Sequence, residues 1–325
     1  MARSKKGGFT PAERTLRFRV EHRAGFAQEQ SHVLDLSREL SKINRRLYRQ
    51  HKAYQVANIT VSSRDTVNGN ITFSTAPDTW VTRGALRRGK QMFDKMQKKV
   101  LDAGGVKSRY NDYKVYLSTD HKALSAINTP GVVDNENVPY GDGEWIYSRF
   151  VRPDDTDNGD EFVTHILGAH DVTGSNYASV GLVLSYGESR ASVNTVQPLT
   201  DQDSEDDPLV LLFNDSEVVD DIFDDMKSNG AQPPYAQTTG GALNTIGENY
   251  PGSSTNAPNP VVKRMATIGS TAGESAPSVM LPGFTALCGL IEIETQSGDT
   301  AIDDTFDVVI ELAPGNYKGV AAFDI

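Results

Sequence analysis

Gln55-Val56-Ala57-Asn58-Ile59-Thr60-Val61-Ser62 alternates apolar and polar side chains with a period of two, the pattern of a strand with one buried face. Asn68-Gly69 follows, a strong hairpin turn signal, and Asn70-Ile71-Thr72-Phe73-Ser74 alternates again as a returning strand. The spacing predicts a β-hairpin over residues 55–74. Further strand patterns fall at Asp112–Leu117, Glu144–Val151, Glu161–Leu167, Val262–Ile268, Phe284–Glu294, Thr305–Leu312 and Val320–Phe323. Residues 178–190 lean to helix. Many strands and few helices argue against a parallel α/β sheet and for an antiparallel sandwich or barrel with long inserted loops.

Two helices are expected inside this all-β frame. Over residues 31–50, with Ser31 as N-cap, Val33, Leu36, Leu40, Ile43 and Leu47 form one apolar stripe. Arg38, Lys42, Arg45 and Arg49 repeat the same spacing on nearly the opposite face, and no Asp or Glu interrupts residues 40–64. The second helix spans roughly residues 82–102, packs Leu86, Phe93, Met96 and Val100, and stops at Gly104-Gly105. Its Arg83, Arg87, Lys90, Lys98 and Lys99 read as a solvated face.

Charge is distributed unevenly. The 325 residues carry a net −11, but residues 1–122 hold +14 and residues 123–325 hold −25. A basic region aimed at a polyanion, attached to an acidic body, is the physical reading. Residues 1–30, with Arg3, Lys5, Lys6, Arg14, Arg17, Arg19 and Arg23 among glycines, read as an arm without enough apolar surface to order itself. Residues 201–225 hold 11 acids and no Lys or Arg, interleaved with apolar residues. This reads as an acidic amphipathic element, followed over residues 227–260 by a long loop rich in Gly, Pro, Ser, Asn and Thr. No apolar run is long enough to cross a bilayer, and a single Cys excludes a disulfide scaffold. The first eight residues lack the apolar stretch of a secretory signal, so an intracellular origin is expected. The 38 % apolar content is enough to build a core.

No constellation for catalysis emerges. There is no nucleophile elbow, phosphate loop, dinucleotide fingerprint or zinc helix, and no enzyme, cofactor or metal is expected. Cys288 sits in an apolar stretch and reads as a small buried residue. His165 and His170 alone do not make a zinc site. Asp201-x-Asp203-x-Glu205 begins like a calcium loop, but Asp206 and Leu212 stand where Gly and Glu are needed. Asp154, Asp155, Asp157 and Asp160 around Asn158-Gly159 read as a polar turn. The remaining signal is electrostatic. Lys and Arg neutralise phosphates by charge density rather than by motif. With only Phe18, Phe26, Tyr48 and Tyr54 as stacking candidates, backbone contact is expected rather than base readout.

Several stretches resemble capsid proteins of small circular single-stranded DNA viruses. They are Leu40-Ser41-Lys42-Ile43-Asn44-Arg45-Arg46-Leu47-Tyr48-Arg49-Gln50, Thr79-Trp80-Val81 and Tyr113-Lys114-Val115-Tyr116-Leu117. Further on come Ser179-Val180-Gly181-Leu182, Tyr186-Gly187-Glu188-Ser189-Arg190-Ala191, Pro233-Pro234-Tyr235, Tyr250-Pro251-Gly252 and Leu312-Ala313-Pro314-Gly315. The resemblance implies a jelly-roll subunit that self-assembles into an icosahedral virion inside the host cell. Its basic N-terminal side would face the interior and the single-stranded DNA genome. The arm is shorter and less Arg-dense than in many such proteins, so an internal membrane with acidic headgroups is a further interior partner. Roughly nine to eleven strands favour a single jelly roll over a double one. The expected division is a basic arm and helix over 1–52, then a jelly-roll domain over 53–325 with inserted loops at 170–260. The expected nucleic-acid contacts are Arg3, Lys5, Lys6, Arg14, Arg17, Arg19, Arg23, Arg38, Lys42, Arg45, Arg46 and Arg49, and the expected protein partners are neighbouring copies, with the acidic segment 201–225 docking onto a basic neighbour. The competing reading is a non-viral β-sandwich binding module with a basic nucleic-acid or membrane anchor.

Overall fold

The computed structural model describes residues 11–23, 29–63, 69–104, 112–124, 128–141, 143, 145–152, 160–173, 176–192, 259–269, 278–297 and 303–325. Along the chain these form β1 (Thr15–His22), β2 (Gln30–Asp35), α1 (Leu36–Asn44), β3 (Lys52–Ser63) and β4 (Gly69–Thr75). Then come α2 (Trp80–Gly104), α3 (Thr119–Ala123), β5 (Arg149–Arg152), β6 (Asp160–His165), β7 (Asp171–Thr173), β8 (Asn176–Gly181) and α4 (Leu182–Ser192). The chain finishes with β9 (Val261–Ile268), β10 (Ser278–Pro282), β11 (Thr285–Leu287), β12 (Leu290–Ser297), β13 (Asp304–Leu312), β14 (Pro314–Gly315), β15 (Gly319–Val320) and β16 (Ala322–Asp324). They divide into two compact units. The first comprises Met1–Thr75, Leu124–Trp145 and Val261–Ile325, and the second Ala76–Ala123 and Ile146–Pro260. In this division residues 1–75 lie together in the first unit, and the second unit begins at Ala76.

The first unit is built of antiparallel strands. One sheet has the order β1-β13-β3-β10, with β11 and β16 also paired to β3, and the other has the order β2-β12-β4-β9. Leu16, Phe18, Ile59, Val61, Val308 and Ile310 from the first sheet share one buried cluster with Leu34, Ile71, Phe73, Ile291 and Ile293 from the second. That shared core is compatible with a β-sandwich. β3 follows its alternation with one interruption. Its register with β13 shifts at Glu311/Leu312, so that Val56 and Ile59 are both buried although three residues apart. The resulting bulge at Ala57 lets Gly283 press against the backbone there. A Cβ on Gly283 would lie 1.9 Å from the Val56 carbonyl oxygen.

Four sequence expectations are corrected here. Thr15-Leu16-Arg17-Phe18-Arg19-Val20-Glu21-His22 is a strand, not part of an arm. It buries Leu16, Phe18, Val20 and His22 and turns its charged residues to the other face. The helix expected over 31–50 covers only 36–44, because Gln30–Asp35 pairs with β12. Its N-cap is Asp35, whose buried carboxylate accepts from the Ser37 and Arg38 amides at 3.0 and 3.1 Å. Arg45 ends the helix in the left-handed conformation. Finally, β3 and β4 do not form a hairpin. β4 pairs with β12 and β9, in the other sheet. Asp112–Leu117 contributes an isolated bridge at Tyr116 rather than a strand.

In the second unit, β5-β6-β8-β7 form a small sheet in which β6 and β8 run parallel. α2 is close to its expected bounds and packs on α4, burying Leu86 and Phe93, while Val100, expected on the same packed stripe, is exposed. Gly84 leaves room for the Tyr186 ring, and Gly89 for Tyr113 and Leu182. The stretch 178–190, read as leaning to helix, splits at Gly181/Leu182 between β8 and α4. Phe93, Tyr113, Phe150 and Phe162 form an aromatic core, with ring centroids 5.4–6.1 Å apart along the chain of contacts.

Candidate nucleic-acid interface

The candidate cations separate according to what they touch. Arg17 and Arg19 lie on the outer face of β1, where Arg17 approaches Asp307 at 3.8 Å and donates to Asn137 at 3.0 Å, while Arg19 lies 3.6 Å from Glu21. Arg14 donates to the Leu312 carbonyl at 3.3 Å. Arg38 and Lys42 converge on the carboxylate of Glu39, at 2.6 and 2.9 Å. Glu39 is fully buried, and Lys42 is nearly so, its side chain 3 % exposed. Glu39 also accepts the Val132 amide at 2.8 Å and so ties residues 130–133 to α1. Arg38 and Lys42 thus serve a structural ion pair instead of an open cationic face, because the opposing acid is their neighbour in the helix.

Arg45, Arg46 and Arg49 are different. They follow α1 in a loop, all three are exposed, and no acidic side chain among the described residues pairs with them. Arg23 is also exposed. The loop is held from beneath by tyrosines. Tyr54 donates its hydroxyl to the Arg49 carbonyl at 2.6 Å, the Arg49 amide donates to the Tyr317 hydroxyl at 3.0 Å, and Tyr48 donates to the Lys318 carbonyl at 2.9 Å. The Tyr317 ring packs edge-on against Tyr48 and Tyr54, at 6.0 and 6.5 Å. Burial raises the Tyr48 phenol above its ordinary pKa, so it remains a neutral donor. Phe18, Tyr48 and Tyr54 are buried and offer no face to a nucleobase, and Phe26 lies outside the described residues.

Two cations missed in the sequence join this loop. Lys318 donates to the Leu47 carbonyl and lies near the Tyr48 and Tyr317 rings, while Lys52 sits 4.4 Å above Tyr317. Lys52 also pairs with Asp324 at 2.6 Å and holds that exposed carboxyl below its usual range, first through the hydrogen bond and then through charge. The signal for Lys318 was the Tyr317-Lys318 doublet, a rare cation in the acidic half of the chain. Arg3, Lys5 and Lys6 lie outside the described residues. The described chain begins at Pro11, whose carbonyl accepts from Arg46 at 3.5 Å.

The other candidates resolve as follows. Cys288 is buried in a turn with a positive φ of 56°. His165 and His170 both contact β8 or its end, and among the described residues no group of His, Cys, Asp or Glu is arranged to hold a metal. Among those residues, no helix is long and apolar enough to cross a membrane. The turn at 154–159 and the acidic segment 201–225 lie outside the described residues, and Asp160 begins β6. No family model, curated protein or solved structure matches the chain.

Proposed function

We propose that the chain is a structural virion protein, a jelly-roll capsid subunit that self-assembles around single-stranded DNA inside a host cell. The observation that carries this reading is the nesting of strand pairs. β1 pairs with β13, β2 with β12, β3 with β10 and β4 with β9. Among these eight strands the first meets the last and the second meets the next-to-last, as in one long antiparallel ribbon rolled into two sheets. We read this nesting as that of an eight-stranded jelly roll, a frequent plan for viral shells that also serves lectins and other binding proteins. The charge polarity of the chain and the resemblance of its motifs favour the shell among these. One such ribbon in the first unit favours a single jelly roll, with the second unit inserted between β4 and β9.

In this reading the exposed loop Arg45–Arg49 touches the phosphate backbone, together with the basic residues that precede Pro11. An internal membrane would be met by the same cations. The decisive experiment is electron microscopy of the purified chain, with absorbance used to detect bound nucleic acid. Particles or capsomers are expected, and a monodisperse monomer over a range of salt with DNA present would refute the shell. For the loop, the R45Q/R46Q/R49Q variant is expected to flatten the salt dependence of single-stranded DNA binding by about 2 in log–log slope, at roughly 0.7 per phosphate contact. An unchanged slope would move the contacts elsewhere.

A further inference from the structure

We propose that His121, His165 and His170 form a proton-sensitive clamp that keeps the second unit closed at neutral pH and loosens it on acidification. The argument begins with donors that cannot be reversed. The Leu117 amide donates to Nδ1 of His121 at 3.0 Å, and the Gly181 amide donates to Nδ1 of His170 at 3.0 Å. A backbone N–H has no acceptor role. Protonating either Nδ1 would therefore set two donors face to face. His165 is placed the other way round. Its Nε2 lies 2.9 Å from the Ala169 carbonyl, which can only accept, so Nε2 carries the proton and Nδ1 accepts the Ser179 hydroxyl at 2.6 Å. The Leu117 and Gly181 bonds thus need an unprotonated Nδ1, while at His165, whose Ser179 partner can donate or accept, it is complete burial that favours the neutral ring.

The clamp closes on one short loop. Residues 166–170 leave β6 and lie against the end of β8 so closely that a Cβ on Gly181 would come 2.5 Å from the Gly168 carbonyl oxygen and 3.1 Å from His165 Nε2. His165 ties β6 to β8, His170 ties the loop to Gly181, and His121 ties α3 to Leu117. The Leu117 carbonyl in turn accepts the Leu167 amide at 3.0 Å.

The surroundings do not welcome a cation. Tyr147 faces His121, with its hydroxyl 3.3 Å from Nε2, and Tyr116 packs edge-on against the same ring. Tyr177 packs edge-on against His170. The neighbouring charges are Lys122 paired with Asp171 at 2.8 Å, and Arg149, which acts on Tyr116 and is itself paired with Glu161 at 3.0 Å. Burial, first, lowers the His165 pKa to about 4. The Ala169 carbonyl opposes this, the nearby His170 adds to it, Asp171 opposes it and Lys122 adds to it.

A histidine with a depressed native pKa binds more protons when its surroundings open, so acid favours opening. The contribution of His165 is intact above its unfolded value of 6.5 and is lost as pH falls toward about 4. Between pH 7.5 and 5.0, this group alone raises the open-to-closed ratio about thirtyfold. At His121 and His170, protonation of Nδ1 would break the Leu117 and Gly181 bonds.

The test is hydrogen exchange by mass spectrometry on the full chain at pH 7.5 and 5.0, corrected for the intrinsic exchange rate. Peptides covering 112–124 and 160–183 are expected to lose more than about thirtyfold in protection, ahead of β3 and β13. In the H121N/H170N variant, Asn Oδ1 stands near the Nδ1 position and does not titrate. The change is expected to shrink toward the share of His165. A wild-type change below threefold, simultaneous loss in β3 and β13, or an undiminished change in the variant would overturn the clamp.

Discussion

Removing the carboxylate of Glu39 is the sharpest test of how the basic helix is used. Glu39 is fully buried and holds three donors: Arg38 Nε, Lys42 Nζ and the Val132 amide. In Glu39→Ala the Lys42 ammonium, nearly buried, loses its counter-charge, and the Val132 N–H loses its acceptor. Breaking one side of a buried ion pair costs about 3–5 kcal/mol. The orphaned amide, worth about 1–3 kcal/mol by itself, overlaps with that loss, because the carboxylate is shared. The expected destabilisation of the first unit is about 4 kcal/mol, close to the whole net stability of a marginal domain. Replacing both partners with apolar side chains, E39L/K42M, removes the uncompensated charge and is expected to recover most of the loss. Urea denaturation, read together with exchange at the Val132 amide, measures both. A loss under about 1 kcal/mol for Glu39→Ala, or a double variant as unstable as the single one, would show that the pair does not hold α1 to residues 130–133. The same reasoning separates stability from the proposed binding: Lys42→Gln is expected to weaken the fold, whereas Arg45→Gln is expected to leave it unchanged and, on the proposed reading, to weaken polyanion binding.

Two further outcomes follow from the first unit. Truncation to Pro11 is expected to leave the fold intact. Truncation through His22 deletes Leu16, Phe18 and Val20 from the core, at about 1.5–3 kcal/mol each, and is expected to leave an insoluble or unfolded chain; a soluble product with an unchanged melting temperature would contradict the strand assignment. Gly289→Ala is expected to cost about 1–3 kcal/mol, since Gly289 has a φ of +66° and a Cβ there would lie 3.1–3.3 Å from Tyr54, Leu36 and Ser37. Thermal denaturation checks this, and a stabilised variant would contradict it.

What could be read in the sequence was local. α2 was legible because its apolar spacing persists for several turns and a glycine closes it, and β3 because its alternation survives a bulge. β1 was hidden by composition. Three charged side chains and a histidine in eight residues look like an arm until their alternation is followed, after which Leu16, Phe18 and Val20 fall on one side. The helix start was misplaced because Val33 lies one turn ahead of Leu36 and mimics a helical stripe, although Asp35 is where the strand ends and the cap begins. The hairpin failed for a non-local reason. Asn68-Gly69 signals a turn, but which sheet β4 joins is decided by β12 and β9, more than 185 residues away.

The site shows the same limit with a functional consequence. Sequence charge counts every cation equally, and twelve candidates looked alike. Geometry distinguishes them by what lies within reach. Arg17, Arg19, Arg38 and Lys42 have acids beside them on the same strand or helix or across the sheet. Their charge is largely cancelled before any partner arrives. Arg45, Arg46 and Arg49 follow the helix, where the acid spacing stops and Tyr48, Tyr54 and Tyr317 brace the backbone by hydrogen bonds. A braced loop keeps its cations exposed without the entropy cost of ordering a free arm. On the proposed reading, a polyanion meeting this unit would find Arg45, Arg46 and Arg49 already exposed, with Arg46 donating to the Pro11 carbonyl at 3.5 Å.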